Sequence, residues 1–175
     1  MEGSFAAALS ASWAVPVILA LVTLQRLAEL WLANRNTKAL LASGGEEHGA
    51  AHYPLFILLH GGWLVALFVS VSAETVVIWP LIGLFLLLQF GRVWVIRTLG
   101  RFWTTRVITV PEAPLITGGP YRWVRHPNYL VVALEIPVLP LAFGLWEIAA
   151  VFTALNVALL SYRIRFEDRV LSERR

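Results

Sequence analysis

The sequence predicts an all-α integral membrane protein with five transmembrane helices, an outside N-terminus and a cytoplasmic C-terminus. Of its 175 residues, 58% are hydrophobic and 14% are charged, whereas soluble domains average about 45–50% and about 25%. The apolar residues form stretches long enough to cross a bilayer, and the basic residues fall on one side of them. The chain has no cysteine, which excludes disulfides, zinc–cysteine sites and thiol nucleophiles.

Three apolar stretches predict the first three helices. They contain no Asp, Glu, Lys or Arg: Gly3–Leu24, Tyr53–Ala73 and Thr75–Gly91. A hydrocarbon core of about 30 Å needs roughly 20 apolar residues per helix, so each stretch can span it. The first pattern continues past Arg26 and Glu29 to Leu32, and the third extends as helix through Arg92 towards Leu99.

The fourth and fifth helices come from one long apolar run, Tyr129–Tyr162. Its 34 residues carry two charges, Glu135 and Glu147. A single helix of this length would measure about 51 Å, too long for one crossing. Gly144–Glu147 is the natural break, so the run predicts two short helices in a hairpin. We expect one membrane domain, residues 1–175, with three helices in 1–100 and the loop, hairpin and tail in 101–175.

The basic residues set the orientation. With an outside N-terminus and alternating helices, every Lys and Arg lies on the inner side: Arg26, Arg35, Lys38, Arg92, Arg97, Arg101, Arg106, Arg122, Arg125, Arg163, Arg165, Arg169, Arg174 and Arg175. The outer segments carry Glu2, Glu74 and Glu147. Cytoplasmic loops are enriched in Lys and Arg, so we expect the polar chemistry on that face. The net charge of +3 gives little support for nucleic-acid binding, and none is predicted.

The inner loop between the third and fourth helices, Gly100–Pro127, is the longest irregular segment. Its prolines and glycines break a continuous helix. Within it, Thr117–Tyr129 is the densest polar and aromatic run, and its glycines permit close approach of the backbone to a ligand. If Pro120 opens a helical turn, Tyr121 and Arg125 share one face. By composition alone, a basic juxtamembrane anchor is the favoured interpretation.

The segment Arg163–Arg169 forms the polar end of the fifth helix. Arg163 and Glu167 are four residues apart and Arg165 and Asp168 three, which is the spacing of surface ion pairs worth about 0.3–0.5 kcal/mol each. Taken alone, the segment indicates a solvated helix end. Because it lies at the same membrane face as the Arg-His-Pro run, the two segments can converge on one ligand.

Other polar residues leave alternatives open. Ionisable groups inside apolar stretches are functional candidates by default: Arg26, Glu29 and Glu135. Arg26 can instead snorkel to the interface, and Glu135 can be neutral or paired. His48 and His52 could form a metal pair, but without further ligands a wet loop is favoured and no metal site is predicted. His60 is predicted to hydrogen-bond between helices.

Three short motifs in the C-terminal half indicate a function when they are considered together. They are Gly119-Pro120-Tyr121, then Arg125-His126-Pro127-Asn128-Tyr129, then Arg163 followed by Glu167-Asp168 after a hydrophobic hairpin. In this order they resemble the isoprenylcysteine carboxyl methyltransferase family and the related phospholipid methyltransferases. One position departs from the family pattern, with Asp168 where a second Glu is usual. The resemblance covers roughly Arg101–Leu171, and the N-terminal half looks like the short bacterial branch.

The resemblance implies S-adenosylmethionine as the cofactor, held in a cytoplasmic pocket that is not a Rossmann fold. It implies cofactor contacts at nine positions: Pro114, Leu115, Ile116, Tyr121, His126, Pro127, Asn128, Tyr129 and Glu167. The first three would line the cofactor through backbone and apolar contacts. Glu167 would supply a carboxylate, which suits hydroxyl or ammonium donors, and Arg163 would orient the acceptor.

The activity that this resemblance implies is O-methylation of a lipophilic acceptor among the membrane lipids, by a multi-pass protein of the bacterial inner membrane with its site facing the cytoplasm. The acceptor would be a prenylcysteine-like carboxylate or an alkylpyrone-type hydroxyl. An alternative is an NADPH-dependent sterol or lipid reductase, because such enzymes share Arg-His-Pro-Asn-Tyr but usually have about twice as many helices. A non-enzymatic membrane protein would explain the topology but not the motifs. The oligomeric state is not predicted.

Overall fold

Helices dominate residues 13–172, the part of the chain that the computed structural model describes. Five helices follow in order: α1 (Ala14–Ala42), α2 (Tyr53–Ser70), α3 (Trp79–Leu99), α4 (Pro127–Ala142) and α5 (Trp146–Ser172). Two short strands, β1 (Glu46–His48) and β2 (Val107–Thr109), pair antiparallel. The predicted all-α class is confirmed, while the first ten residues of the predicted first helix lie outside the described part.

Four helical segments are long and apolar enough to cross a bilayer: Ala14–Ala42, Ala50–Ser70, Trp79–Phe102 and Trp146–Ser172. Helix α4 is apolar but has only 16 residues. At about 1.5 Å per residue it is about 24 Å long, shorter than a hydrocarbon core of about 30 Å. The described chain therefore offers four spans by length, and the fifth crossing and the orientation remain predictions.

The predicted break between α4 and α5 is confirmed. Helix α4 ends at Ala142, Gly144 turns the chain with a φ of +72°, and α5 begins at Trp146. The prediction of two short helices is wrong for the second one. Helix α5 has 27 residues because the apolar run and the predicted polar end, Arg163–Arg169, form one helix that continues to Ser172.

Helix α4 contains a proline whose effect is compensated by α2. Pro140 lacks the N–H that would bond to the carbonyl of Ile136, four residues earlier. The indole N–H of Trp63, a fully buried residue of α2, donates to this carbonyl at 3.1 Å. The indole therefore joins α2 to α4 and pairs a carbonyl that the apolar interior would otherwise leave without a partner.

A buried ionic cluster joins α1, α3 and α4. Its members are two arginines, two glutamates and two glutamines: Arg26, Arg92, Glu29, Glu135, Gln25 and Gln89. Arg92 bonds to Glu135 through Nε at 3.0 Å and also through Nη2, and its Nη1 lies 3.2 Å from Glu29. Arg26 lies 2.8 Å from Glu29 and 3.1 Å from Glu135. The four formal charges cancel, so Arg26 is paired rather than snorkelling.

The glutamines connect the carboxylates of this cluster. Gln25 donates to Glu29 at 2.9 Å and to Gln89 at 2.6 Å, and Gln89 donates to Glu135 at 2.7 Å.

His60 lies on α2, and its Nδ1 is 2.9 Å from the carbonyl oxygen of Phe56 on the same helix. The hydrogen bond found for His60 is thus within its own helix, not the predicted bond between helices.

The strand pair joins the α1–α2 connection to the α3–α4 loop. Glu47 stands opposite Ile108, and Arg106 beside β2 donates to the Glu47 carboxylate oxygens at 2.7 and 2.9 Å. His48 Nε2 lies 2.9 Å from Thr109 Oγ1, so this histidine belongs to the strand pair. Residues 13–172 contain no group of three or more metal-ligating side chains. The two loops together form one cap on the predicted cytoplasmic side.

We expect Glu135→Gln to lower the free energy of unfolding by about 3–5 kcal/mol, because it leaves the buried Arg92 and the partly buried Arg26 with one carboxylate. Chemical unfolding in detergent micelles measures the loss. Glu147→Gln is the matched control, since Glu147 is exposed at the start of α5. Equal losses for the two variants would contradict the coupling within the ionic cluster.

Candidate active site

The candidate site lies where the start of α4 meets the C-terminal part of α5. His126 immediately precedes α4 and Tyr129 lies in its first turn, while α5 supplies Arg163, Glu167 and Asp168. Because α4 and α5 form an antiparallel hairpin, residues 34 to 42 positions apart in the chain come into contact. The structure thus brings together the Arg-His-Pro run and the polar end of α5, as the sequence predicts.

The hydroxyl of Tyr129 lies between two charged side chains of α5, Arg163 and Glu167. It donates to Glu167 Oε2 and accepts from Arg163 Nε at 3.2 Å. Arg163 also donates through Nη2 to the carbonyl of Thr105 at 3.0 Å, and its guanidinium lies 5.3 Å from the ring centroid of Phe56. Arg163 is buried, so the interpretation of this segment as a solvated helix end is wrong at this residue.

His126 faces the two acidic side chains in the C-terminal part of α5, Glu167 and Asp168. Its Nε2 lies 3.2 Å from Asp168 Oδ1 and its Nδ1 3.9 Å from Glu167 Oε1, and its ring stacks on that of Tyr129. A neutral imidazole donates from one nitrogen only, whereas the protonated ring donates from both. The predicted pairing of Asp168 with Arg165 is thus replaced by a contact with His126.

Tyr121 lies on a single 3-10 turn, Gly119–Arg122, which confirms the predicted helical turn at Pro120. The turn ends before Arg125, which is exposed, so the predicted shared face of Tyr121 and Arg125 is not formed. Burial, followed by the negative charge of Glu167, raises the pKa of Tyr121 well above its usual range. Tyr121 therefore presents a neutral hydroxyl near the site at physiological pH.

Two further predicted positions follow His126. Pro127 is buried at the start of α4, where a missing N–H costs no helical hydrogen bond. Asn128 follows it, and its side-chain Oδ1 is buried without a hydrogen-bond partner within residues 13–172. An amide oxygen placed in this way can accept a hydrogen bond from a bound molecule.

The segment Pro114–Ile116 lies in the loop before the 3-10 turn. Pro114 and Leu115 line an open cleft of about 440 Å³ together with Glu112 and Ala113. Glu112 has a φ of +57°, a left-handed conformation that is uncommon for a residue with a Cβ. The cleft is therefore shaped by a turn of the loop rather than by a helix.

Near Arg163 the structure places His52, which the sequence does not predict as part of the site. His52 is buried, its ring is edge-on to Tyr162 and Phe166 of α5, and its Nε2 is without a hydrogen-bond partner in the described chain. Gly49 has a φ of +66°, and an added Cβ would lie 2.0 Å from His52 Cε1. Only glycine fits there. The favoured interpretation of a wet loop is therefore wrong at His52, and no spacing in the sequence predicts these contacts.

Comparisons with known proteins identify a family for the chain. Residues 81–173 match the isoprenylcysteine carboxyl methyltransferase (ICMT) family. The chain is 36% identical over 165 residues to the uncharacterized protein YpbQ of Bacillus subtilis (strain 168), covering 90% of this chain and 96% of YpbQ. It is 26% identical over 152 residues to an uncharacterized protein of Haemophilus influenzae (strain ATCC 51907 / DSM 11121 / KW20 / Rd), covering 84% and 88%. No solved structure matches.

The fold and the matched residues define a helical membrane protein of a methyltransferase class. The chain belongs to the isoprenylcysteine carboxyl methyltransferase family. The predicted resemblance is confirmed, and the match begins at residue 81, so it also includes most of α3.

Tyr129→Phe should lower the free energy of unfolding of the ligand-free protein by about 1–3 kcal/mol, because it leaves the buried Arg163 Nε without its acceptor. Unfolding in detergent measures the change. Tyr162→Phe removes the same hydroxyl from a residue that is about half exposed, and it should change stability by less than about 0.5 kcal/mol. If Tyr129→Phe leaves the free energy of unfolding unchanged, the hydrogen bonds of the Tyr129 hydroxyl contribute nothing to stability.

Proposed function

We propose that this protein is an S-adenosylmethionine-dependent O-methyltransferase whose acceptor is a lipophilic molecule in the membrane. The observation that carries the proposal is the contact of His126 and Tyr129 with Arg163 and Glu167, in a chain of a methyltransferase family. This contact joins one group suited to a charged nucleoside and another suited to an anionic acceptor. The proposed location is the cytoplasmic face of the bacterial inner membrane.

The chemistry of the donor set fits S-adenosylmethionine. The Glu167 carboxylate and the unpartnered Asn128 Oδ1 can accept hydrogen bonds from ribose hydroxyls or from the ammonium group. Tyr121 and the stacked rings of His126 and Tyr129 suit the flat adenine, and Pro114–Ile116 suit apolar contacts. When bound, the cofactor supplies an electrophilic methyl group on a positive sulfonium.

Arg163 is the residue proposed to hold the acceptor. A guanidinium has five N–H donors, and the fold engages Nε and Nη2 with Tyr129 and Thr105. Its other donors can orient an oxygen anion. The acceptor oxygen bonds to the methyl carbon as the carbon–sulfur bond opposite it breaks, so alignment is the main requirement. A carboxylate with a pKa of about 3.3–3.7 is already ionised and needs no general base.

Burial along α5 supports separate approaches for the two reactants. The exposed fraction of the side chain is 42% at Asp168 and 24% at Glu167, and Arg163 as a whole is 4% exposed. The water-soluble donor would therefore approach the outer, acidic end of this gradient. The lipophilic acceptor, a prenylcysteine-like carboxylate or an alkylpyrone-type hydroxyl, would reach Arg163 from the membrane side.

A thermal shift in detergent tests the cofactor. S-adenosylhomocysteine at about 100 times its Kd should stabilise the protein by about 2.7 kcal/mol, because it binds the folded state only. Glu167→Gln should abolish the rise in Tm, whereas Glu74→Gln, at an exposed site beyond α2, should retain it. A rise in Tm with NADPH instead would support the reductase alternative.

Arg163→Lys should separate acceptor handling from cofactor binding. Lysine keeps the charge but loses the planar fork that holds an oxygen anion at two points. We expect methyl transfer to fall about tenfold or more while the S-adenosylhomocysteine shift is retained. Radiolabelled methyl transfer and the thermal shift are the two measurements. Equal loss of both properties would contradict the division of roles between Arg163 and Glu167.

A further inference from the structure

Asn156 is an unpaired polar side chain in the apolar part of α5. Its exposed fraction is 0%, and neither its amide oxygen nor its amide nitrogen has a hydrogen-bond partner within residues 13–172. A side-chain amide can donate two hydrogen bonds and accept others. Leaving it unpaired among apolar groups costs free energy, because no bulk water reaches the interior of a membrane protein to replace the partner. We therefore expect the Asn156 amide to form hydrogen bonds with a bound molecule.

A second unpaired group lies one helical turn away. The hydroxyl of Thr153 is buried without a hydrogen-bond partner in the described chain. Threonine in a helix commonly bonds to the carbonyl four residues earlier, but Thr153 does not. Thr153 and Asn156 are three residues apart, so they lie close together on the helix surface. Two adjacent unpaired groups indicate a polar site rather than one misplaced side chain.

The same helix face leads to the candidate site. Leu160, Arg163 and Glu167 follow Asn156 at intervals of four, seven and eleven residues, which places all four on one face of α5. Asn156 lies about 10 Å from Arg163 along the helix axis. Along this face the exposed fraction of each residue is low from Arg163 through Leu160 to Asn156.

The neighbouring helix α2 carries two small, exposed residues where it passes α5. Helix α5 packs against α4 and α2, and α2 contains two adjacent glycines, Gly61 and Gly62. A Cβ at Gly61 would meet no atom within 4 Å, and one at Gly62 would meet only Phe152 of α5, at 3.8 Å. Both glycines are exposed, so the surface of α2 beside Phe152, one helical turn before Asn156, is open to molecules in the membrane.

We infer that Asn156, assisted by Thr153, is a binding residue for a second polar group of the methyl acceptor. The inference rests on the proposed function and narrows its substrate class. The acceptor would carry a carbonyl or hydroxyl on the membrane side of the oxygen that Arg163 holds. An acceptor with hydrocarbon alone at this depth would leave the amide unpaired, so it would bind less favourably.

The experiment compares the wild-type protein with Asn156→Leu, which keeps the branched shape of the side chain and removes the amide. Each purified protein is incubated with labelled S-adenosylmethionine and a total lipid extract of the organism that encodes it, and labelled lipid is counted. We expect about a tenfold or larger loss of labelled product, as for a lost hydrogen bond to substrate. The S-adenosylhomocysteine shift should be retained. The Tm of the ligand-free protein should be unchanged or higher, since no partner within the fold is lost.

Thr153→Val is the second variant, because valine has the shape of threonine without the hydroxyl. It should reduce labelling in the same direction and leave the ligand-free Tm unchanged, even if Asn156→Leu fails to fold.

The outcomes separate this inference from the proposed function. No labelled lipid with the wild-type protein would overturn both. If both variants label lipid as strongly as the wild-type protein does, the inference is overturned and the proposed function is retained. A Tm lowered by several degrees in Thr153→Val, with labelling retained, would show that these groups have a structural partner instead.

Discussion

The main physical constraint on this structure is that polar groups between apolar helices must find partners inside the protein, since the bilayer supplies none. The ionic cluster of two arginines and two glutamates meets this constraint with no net charge. The Trp63 indole meets it for a carbonyl that Pro140 leaves free. These contacts connect α1 and α3 to α4, and α2 to α4, so they fix the helix on which half of the candidate site is built.

The hairpin of α4 and α5 brings the residues of both helices together in the candidate site. Its two helices run antiparallel, so the first turn of α4 meets the last turns of α5. Tyr129 then separates Arg163 from Glu167, which would otherwise be free to pair directly at a spacing of four residues. Each charged group keeps hydrogen-bonding capacity for a ligand, and both are held in place by one hydroxyl.

The burial gradient along α5 relates the site to its proposed chemistry. Acidic side chains lie at the more exposed end, and Arg163 lies where water is already largely excluded. A reaction between a charged nucleoside and a lipid needs such a boundary, because each reactant is poorly soluble in the phase that holds the other. The cap formed by β1 and β2, through Arg106 and Glu47, connects the loops that surround this boundary.

The sequence by itself determined the membrane class, the helix break at Gly144, the family and the convergence of His126 with Glu167. These follow from composition, local conformation and short motifs, which are properties of neighbouring residues. Only the tertiary structure decided that Arg26 and Arg92 both pair with Glu135, that Tyr129 bridges Arg163 and Glu167, and that Asn156 is left unpaired. Such partners are up to 109 residues apart, and no periodic pattern specifies which helix faces meet.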